Sequence, residues 1–386
     1  MPRVERKALI ERIEEMRSSR VIVYVTGDRT PWGAQIGNDA LRPLYDHIRN
    51  LDSPQALDVF IYSRGGDIDV PWRIASGLRA AAPRWNVLIP WRANSAATLL
   101  ALGADEIVMG PQAELGPIDP IMNIRRPGDP SGQGMVEEAV NVEDVMSYVR
   151  FVKERLELAD PRALGDSLGK LTDRLDAITL GNAYRTHSHI REVARRMLAS
   201  RSEPAEDSTM KSIIETLAEK VYAHGHAIGR QEAGALGLPV VDASTELDTA
   251  MWKLLEEYED LMATRNPVDP AEAVRTEDEW REPGVLGAIE SSWGVHEFSG
   301  DFMVRGQRQM PANLQINVNI PVNLPPGLNP QMLPEQLQQL LQQMLQEAQQ
   351  GLIAQAQQAV NDAMKAQAPL VGAEVAFRGG GWRFTS

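Results

Sequence analysis

The chain has 386 residues, of which 43% are hydrophobic and 24% charged, enough to bury one large core or two smaller ones. A formal net charge of −14 excludes a general nucleic-acid footprint. The absence of cysteine excludes a disulfide framework, a thiolate metal site and a cysteine nucleophile, and no apolar run approaches the ~20 residues of a membrane span.

The opening stretch, MPRVERKALIERIEEMRSSR, is charged and amphipathic, the pattern of a helix over 1–20 rather than of a signal peptide. Together with the missing thiols it predicts a cytoplasmic protein. RVIVYVTGD, from Arg20, reads as a buried strand, and NDALRPLYDHIRNL as a helix. ALDVFIYSRGGD is a second strand that stops at Gly65-Gly66. Then come a helix (VPWRIASGLRAA), a strand (NVLIPWRA), a helix closed by Gly103 (SAATLLALGA) and a short strand (DEIVMG). Strands alternating with helices predict an α/β fold with a parallel sheet.

RRPGDPSGQG, near Arg125, has the composition of a loop or lid. The pattern from VEDVMSYVRFVKERLEL to MKSIIETLAEKVYAH is mostly helical. GLPVVDA reads as a last short strand and ELDTAMWKLLEEYEDLM as a helix, closing a core unit over 21–265, with a linker over 266–297.

Residues 298–386 differ in kind. In NLQINVNIPVNL, Leu314, Ile316, Val318, Ile320, Val322 and Leu324 alternate with polar residues, as on a half-buried strand. A glutamine-rich stretch follows whose apolar stripe, with Leu337, Leu340, Leu341, Met344 and Leu345, predicts a helix. VGAEVAFRGGGWRFTS predicts a final strand or pair. This C-terminal strand-and-helix part is expected to act in assembly or partner docking.

Two features carry chemistry. Glycines ending a strand let backbone N–H groups face outward without a side chain in the way. In RANSAATLLALGADEIVMG, Ser95 stands where a buried helix starts, either as its cap or as a nucleophile. At the C-terminal strand ends of a parallel sheet, a serine beside the N–H groups of Gly66 and Ala96 is an arrangement for acyl transfer.

YSRGGDIDVPWRIASGLR and RANSAATLLALGADEIVMGPQAELGPIDP resemble the serine dehydrogenase proteinase family. That family is related to the Clp protease proteolytic subunit, signal peptide peptidase A and the crotonases. GNAYRTH and YAHGHAIGRQEAGALGL extend the resemblance across 21–242. It implies a spiral of ββα units, a homo-oligomer, Ser95 as nucleophile, and Gly66 and Ala96 as oxyanion donors.

The resemblance departs from the Clp pattern at the base. Where the Clp subunit has its histidine, GPIDP places Asp119. Signal peptide peptidases use a later lysine instead, and only Lys153 and Lys170 lie between residues 8 and 210. Lys153 borders the predicted core stripe Val145, Val149 and Val152. It would act as base once desolvation lowered its pKa well below the ordinary ~10.4. The competing reading is a surface lysine near Glu154 and Glu157.

His224 and His226 flank a glycine and are alternative bases or line the site; no third metal ligand is apparent. His187 and His189 read as a solvated helix face, and Asp67 and Asp69 as the start of the next helix.

These features predict an ATP-independent serine peptidase of the Ser-Lys kind acting on peptides or unfolded proteins. It would need no cofactor or metal, and no GxxxxGK[ST] motif is present. The alternative is a weakly active or inactive protease-like scaffold that assembles through its C-terminal part. Crotonase-like thioester chemistry would not require Ser95, and no GxGxxG motif supports a dehydrogenase.

Overall fold

The computed structural model describes residues 2–52, 54–127, 135–155, 160–172, 175–220, 225–309 and 334–385. The chain begins with α1 (Pro2–Arg17) and β1 (Arg20–Thr26), followed by α2 (Leu41–Arg49), β2 (Ala56–Tyr62), α3 (Val70–Ala81) and β3 (Arg84–Ile89). Next come β4 (Arg92–Ala93), α4 (Ala96–Leu102), β5 (Ile107–Met109), β6 (Glu114–Leu115), β7 (Ile121–Pro127) and β8 (Met135–Asn141). A helical stretch holds α5 (Val142–Arg150), α6 (Pro161–Thr172), α7 (Ala177–Ala199) and α8 (Asp207–Glu215). Then follow β9 (Ile228–Gly229), α9 (Arg230–Ala235), β10 (Val240–Asp242), α10 (Thr245–Leu261) and α11 (Pro270–Ala273). The last described elements are β11 (Glu279–Glu290), β12 (Val295–Arg308), α12 (Glu335–Gln367) and β13 (Leu370–Thr385).

The main sheet has the order β10-β5-β3-β2-β1-β11-β12-β13. Its first five strands are parallel, and β11 joins β1 antiparallel, with Thr26 opposite Gly287. A second sheet, β4-β6-β9, takes short strands that follow β3 and β5 directly. The run β3–β4–α4 is thus a ββα unit with one strand in each sheet.

The near-continuous apolar runs of β1 and β2 reflect burial on both faces. Alternate side chains enter separate cores. Ile22, Tyr24, Val59 and Ile61 pack with α2, α3, α4 and α7, whereas Val21, Val23, Val25 and Phe60 pack with α1 and α10. α4 is buried along its whole length. Its alanines let it lie close to neighbouring elements, and each buried leucine stabilises the fold by about 1.5–3 kcal/mol.

Three expectations change. NVLIPWRA is split between β3 and β4, because the chain leaves one sheet for the other. Arg125 to Pro127 belong to β7, paired antiparallel with β8, and residues 128–134 of the expected loop lie outside the described residues. Residues 279–290, expected within a linker, form β11. The alternating segment 314–324 lies outside the described residues.

The chain divides into a larger unit (residues 1–268, 283–302 and 377–386) and a smaller one (269–282 and 303–376). Within the smaller unit, Arg305 pairs with Glu279 at 3.0 Å and Arg308 with Asp278 at 2.7 Å. α12 is helical as its stripe predicts, yet Leu337, Leu340 and Met344 are exposed. No helix among the described residues is long and apolar enough to cross a membrane.

Candidate active site

Ser95 lies between β4 and α4. Ser63 and Ala93 form a parallel bridge, with Asn94 N–H donating to Ser63 O and Ser63 N–H to Arg92 O, both at 3.0 Å. This ties β4 to the end of β2. α4 must then start at once so that all of its residues are buried, leaving a single residue in which to turn. Ser95 makes that turn at φ 51°, ψ −113°, in the positive-φ region that non-glycine residues rarely adopt. Such a conformation costs of order 1–3 kcal/mol. Its hydroxyl does not cap α4, so the cap reading of this serine is not what the geometry shows.

Gly65 and Gly66 follow the end of β2 at φ +110° and +151°. A Cβ on Gly65 would meet the Ser95 Cβ, and one on Gly66 would lie 2.4 Å from Ile36 O. Gly65 N–H donates to Ser63 Oγ at 3.0 Å, and the same oxygen accepts the Thr26 hydroxyl at 2.8 Å. Ile36 N–H bonds Gly65 O, and Asp67 N–H bonds Ile36 O. In such a parallel bridge the flanking groups face the partner, so the N–H of Gly66 itself points away from Ile36. Ala96 is the first residue of α4, and its N–H has no partner within the helix.

These groups border a cleft of about 550 Å³ whose lining includes Ser95, Gly65, Gly66, Arg64, Asp119 and Thr186. Asp119 is buried, and its Oδ2 accepts Asn141 Nδ2 at 2.5 Å. Asn141 also caps α5 through Glu143 N–H. The approach to Asp119 is held by Thr98, which is fully buried on α4. Its hydroxyl donates to Ala93 O at 2.7 Å and accepts Gly116 N–H at 3.0 Å. The segment before Asp119 is thus tied to α4 at Gly116, and Ile118 N–H, bonded to Leu217 O, fixes it further.

The other candidate bases are not brought to this cleft. Lys153 is exposed in a π-helical turn, Phe151–Arg155, and lines a separate pocket of about 220 Å³ with Val149, Val152, Leu164 and Leu168. Lys170 is exposed on α6. His226 is exposed and lies 3.2 Å from Glu232, and His224 is outside the described residues. Among the described residues, no group of three or more His, Asp or Glu side chains is arranged to hold a metal.

The reading of His187 as solvated is corrected. It sits beside Arg191 of its own helix and among Glu143, Arg150 and Glu219, side chains from two further elements that its local sequence does not reveal. Desolvation and the adjacent Arg191 lower its pKa to about 4 against the opposing pull of Glu219. His189 is exposed as expected, but it pairs with Asp69 at 2.6 Å. Asp69 stands before α3 without capping it.

Two archaeal relatives, both uncharacterized proteins of Methanocaldococcus jannaschii, are 26% identical over 222 residues and 31% identical over 129 residues. The matches cover 58% and 30% of this chain, and 65% and 42% of the relatives' own lengths. Among solved structures, a membrane-bound stomatin-specific protease in complex with a substrate peptide matches 58% of this chain and 76% of its own. Its TM-score is 0.33 and its identity 17%. Residues 2–131, which carry Gly65, Gly66, Ser95 and Asp119, match the family of ClpP-like SDH-type serine proteinases, the family that the motifs resemble.

Proposed function

We propose that the chain is a serine peptidase in which Ser95 attacks the scissile carbonyl and the N–H groups of Gly66 and Ala96 hold the developing oxyanion. One observation carries this reading: Ser95 adopts a strained, uncapped turn against Gly65 on the wall of an open cleft. The strain holds the hydroxyl at the helix N-terminus, where the dipole and free amides favour negative charge. Attack forms an acyl-enzyme and releases the amine, and water then frees the acid.

Asp119 is the first candidate to take the Ser95 proton, because it lines the same cleft. Lys153 is the second, supported by the family's lysine-dependent cousins and set back by its place in another pocket. His226 and His224 follow. The substrate class is peptides or unfolded proteins, cleaved without ATP by a cytoplasmic enzyme. Homo-oligomerisation through the exposed stripe of α12 completes this reading.

The test is a fluorophosphonate probe read by intact-protein mass spectrometry, with light scattering to follow assembly. The wild type takes one label, and Ser95→Ala takes none. Asp119→Asn slows labelling about 100-fold or more if Asp119 is the base. Loss in Lys153→Ala instead restores the Ser-Lys pairing. An unlabelled wild type overturns the peptidase reading and leaves the scaffold, which the exposed stripe of α12 favours.

A further inference from the structure

A second cavity, of about 420 Å³, adjoins the Ser95 cleft. Gly33, Ala34 and Gln35 line both, so this short segment is the wall they share. Thr26 lines the second cavity and hydrogen-bonds Ser63, the residue that fixes Gly65 N–H. One side-chain relay thus ties the floor of the second cavity to the glycine loop of the first.

The far wall is aromatic. Phe298 from β12 stands against Phe377 and Trp382 from β13, with ring centroids 5.9 and 5.5 Å apart. Leu286 adds an aliphatic surface, and Gly33, Gly287 and Gly380 leave space in place of side chains. A Cβ on Gly380 would meet the Phe298 ring at 2.9 Å, so glycine there permits β13 to approach the ring. Trp382 is fixed at its polar edge, where Nε1–H donates to Asp39 Oδ2 at 2.9 Å. The Thr26 hydroxyl is already spent on Ser63. The wall of Phe298, Phe377, Trp382 and Leu286 therefore presents ring and aliphatic carbon, with Gln35 and Asp39 as polar neighbours, and it favours an apolar guest by burial and edge-to-face contact.

We infer that this cavity is a specificity pocket for an aromatic or large aliphatic side chain of a peptide lying across Ser95. The inference rests on the peptidase reading and names its substrate class: peptides with such a residue close to the scissile bond. The shared wall requires that closeness, because the chain of a bound peptide crosses from one cavity to the other at Gly33–Gln35. Phe298, Phe377 and Trp382 lie beyond residues 2–131, so the aromatic wall of the pocket comes from outside the matched family region, while Thr26 and Gly33–Gln35 come from within it.

The test uses the full chain and needs no turnover. Ser95 is labelled with ethyl fluorophosphonate, and hexapeptides are measured as protectants: hexaalanine, and the six peptides in which one alanine is replaced by phenylalanine. One phenylalanine position is expected to strengthen protection about tenfold or more over hexaalanine. That ratio is taken within each variant, so a general change in Ser95 reactivity cancels. It collapses towards one in Phe298→Ala and in Gly287→Leu, whose added side chain starts 3.6 Å from the Trp382 ring. Thermal melts establish that both variants fold, and either one alone suffices.

Four outcomes overturn the inference. If Ser95 labels but no phenylalanine position is preferred, or the preference survives in both variants, the pocket falls while the peptidase reading stands. Protection by free indole equal to that of the best peptide makes the cavity a small-molecule site instead. If assembled wild-type protein takes no label at all, both readings fall together.

Discussion

Gly65 and Ser95 meet so closely that a Cβ built on Gly65 would lie 2.6 Å from the Cβ of Ser95. The second residue has a side chain in a strained turn only because the first has none. Gly65→Ala adds both this clash and the penalty of its φ of +110°. We expect a loss of about 1–3 kcal/mol or more of stability and no fluorophosphonate label on Ser95. Urea denaturation and intact mass measure the two effects; unchanged labelling would mean that the loop does not shape the serine.

Thr98 is the link between α4, which follows Ser95, and the segment leading to Asp119. Thr98→Val keeps the volume but leaves Gly116 N–H and Ala93 O without this partner. The expected cost is about 1–3 kcal/mol, with labelling slowed more than stability alone explains. Labelling rates well below the melting range separate the two. A variant that loses stability but labels at the wild-type rate would limit Thr98 to packing.

Acid should loosen the packing around His47. His47 is fully buried, with Nδ1 2.7 Å from Ser291 Oγ and Nε2 3.1 Å from His296 Nδ1. Burial first, then His296 and Arg3, lower its pKa to about 3, against the opposing pull of Asp46. The unfolded histidine titrates near 6.5. Between these values the unfolded chain binds more protons, so stability is full above about pH 6.5 and falls as pH drops towards 3, by up to ~1.4 kcal/mol per pH unit. Urea midpoints at pH 7.5, 6 and 5 should fall more steeply in the wild type than in His47→Gln. Parallel slopes would remove His47 as the cause.

Arg6 donates to Glu290 at 2.7 Å, and Tyr258 donates to the same carboxylate oxygen at 2.8 Å, all three buried. Burial raises the Glu290 pKa in spite of Arg6. Arg6→Ala strands this carboxylate and is expected to cost about 3–5 kcal/mol. Arg6→Met with Glu290→Met should recover most of that loss, as read by chemical denaturation. A mild Arg6→Ala would show that solvent reaches Glu290.

The elements of the proposed acyl-transfer site were legible because they are local. A strand ending in Gly65-Gly66 and a strand–Ser95–helix turn each declare themselves within a dozen residues, and β1, β2, α2, α3 and α10 follow from apolar spacing. Elements that depend on distant partners were not legible. β11 contains Pro283 and Gly284 and reads as a linker until its residues are set beside β1. β7 carries Arg125, Arg126 and Pro127, the composition of a turn, and only pairing with β8 makes it a strand. His187 is enclosed by Glu143 and Glu219 from other elements, which no spacing within its own helix announces, beside Arg191 one turn on. The wall formed by Phe298, Phe377 and Trp382 combines two strands separated in sequence by a polar helix. Lys153 illustrates the converse: its position in the sequence suited a catalytic lysine, but its helix turns it towards another pocket.

β13 has a consequence for the order in which the protein comes into being. Ser95, Gly65 and Asp119 are all synthesised long before Phe377, Gly380 and Trp382, which close the adjoining cavity. A chain still emerging from the ribosome can turn at Ser95 while that cavity lacks one side. On the proposed reading, discrimination between substrates is acquired late, when the strand carrying Trp382 docks, and a translation product stopped before that strand holds the proposed nucleophile without its selector.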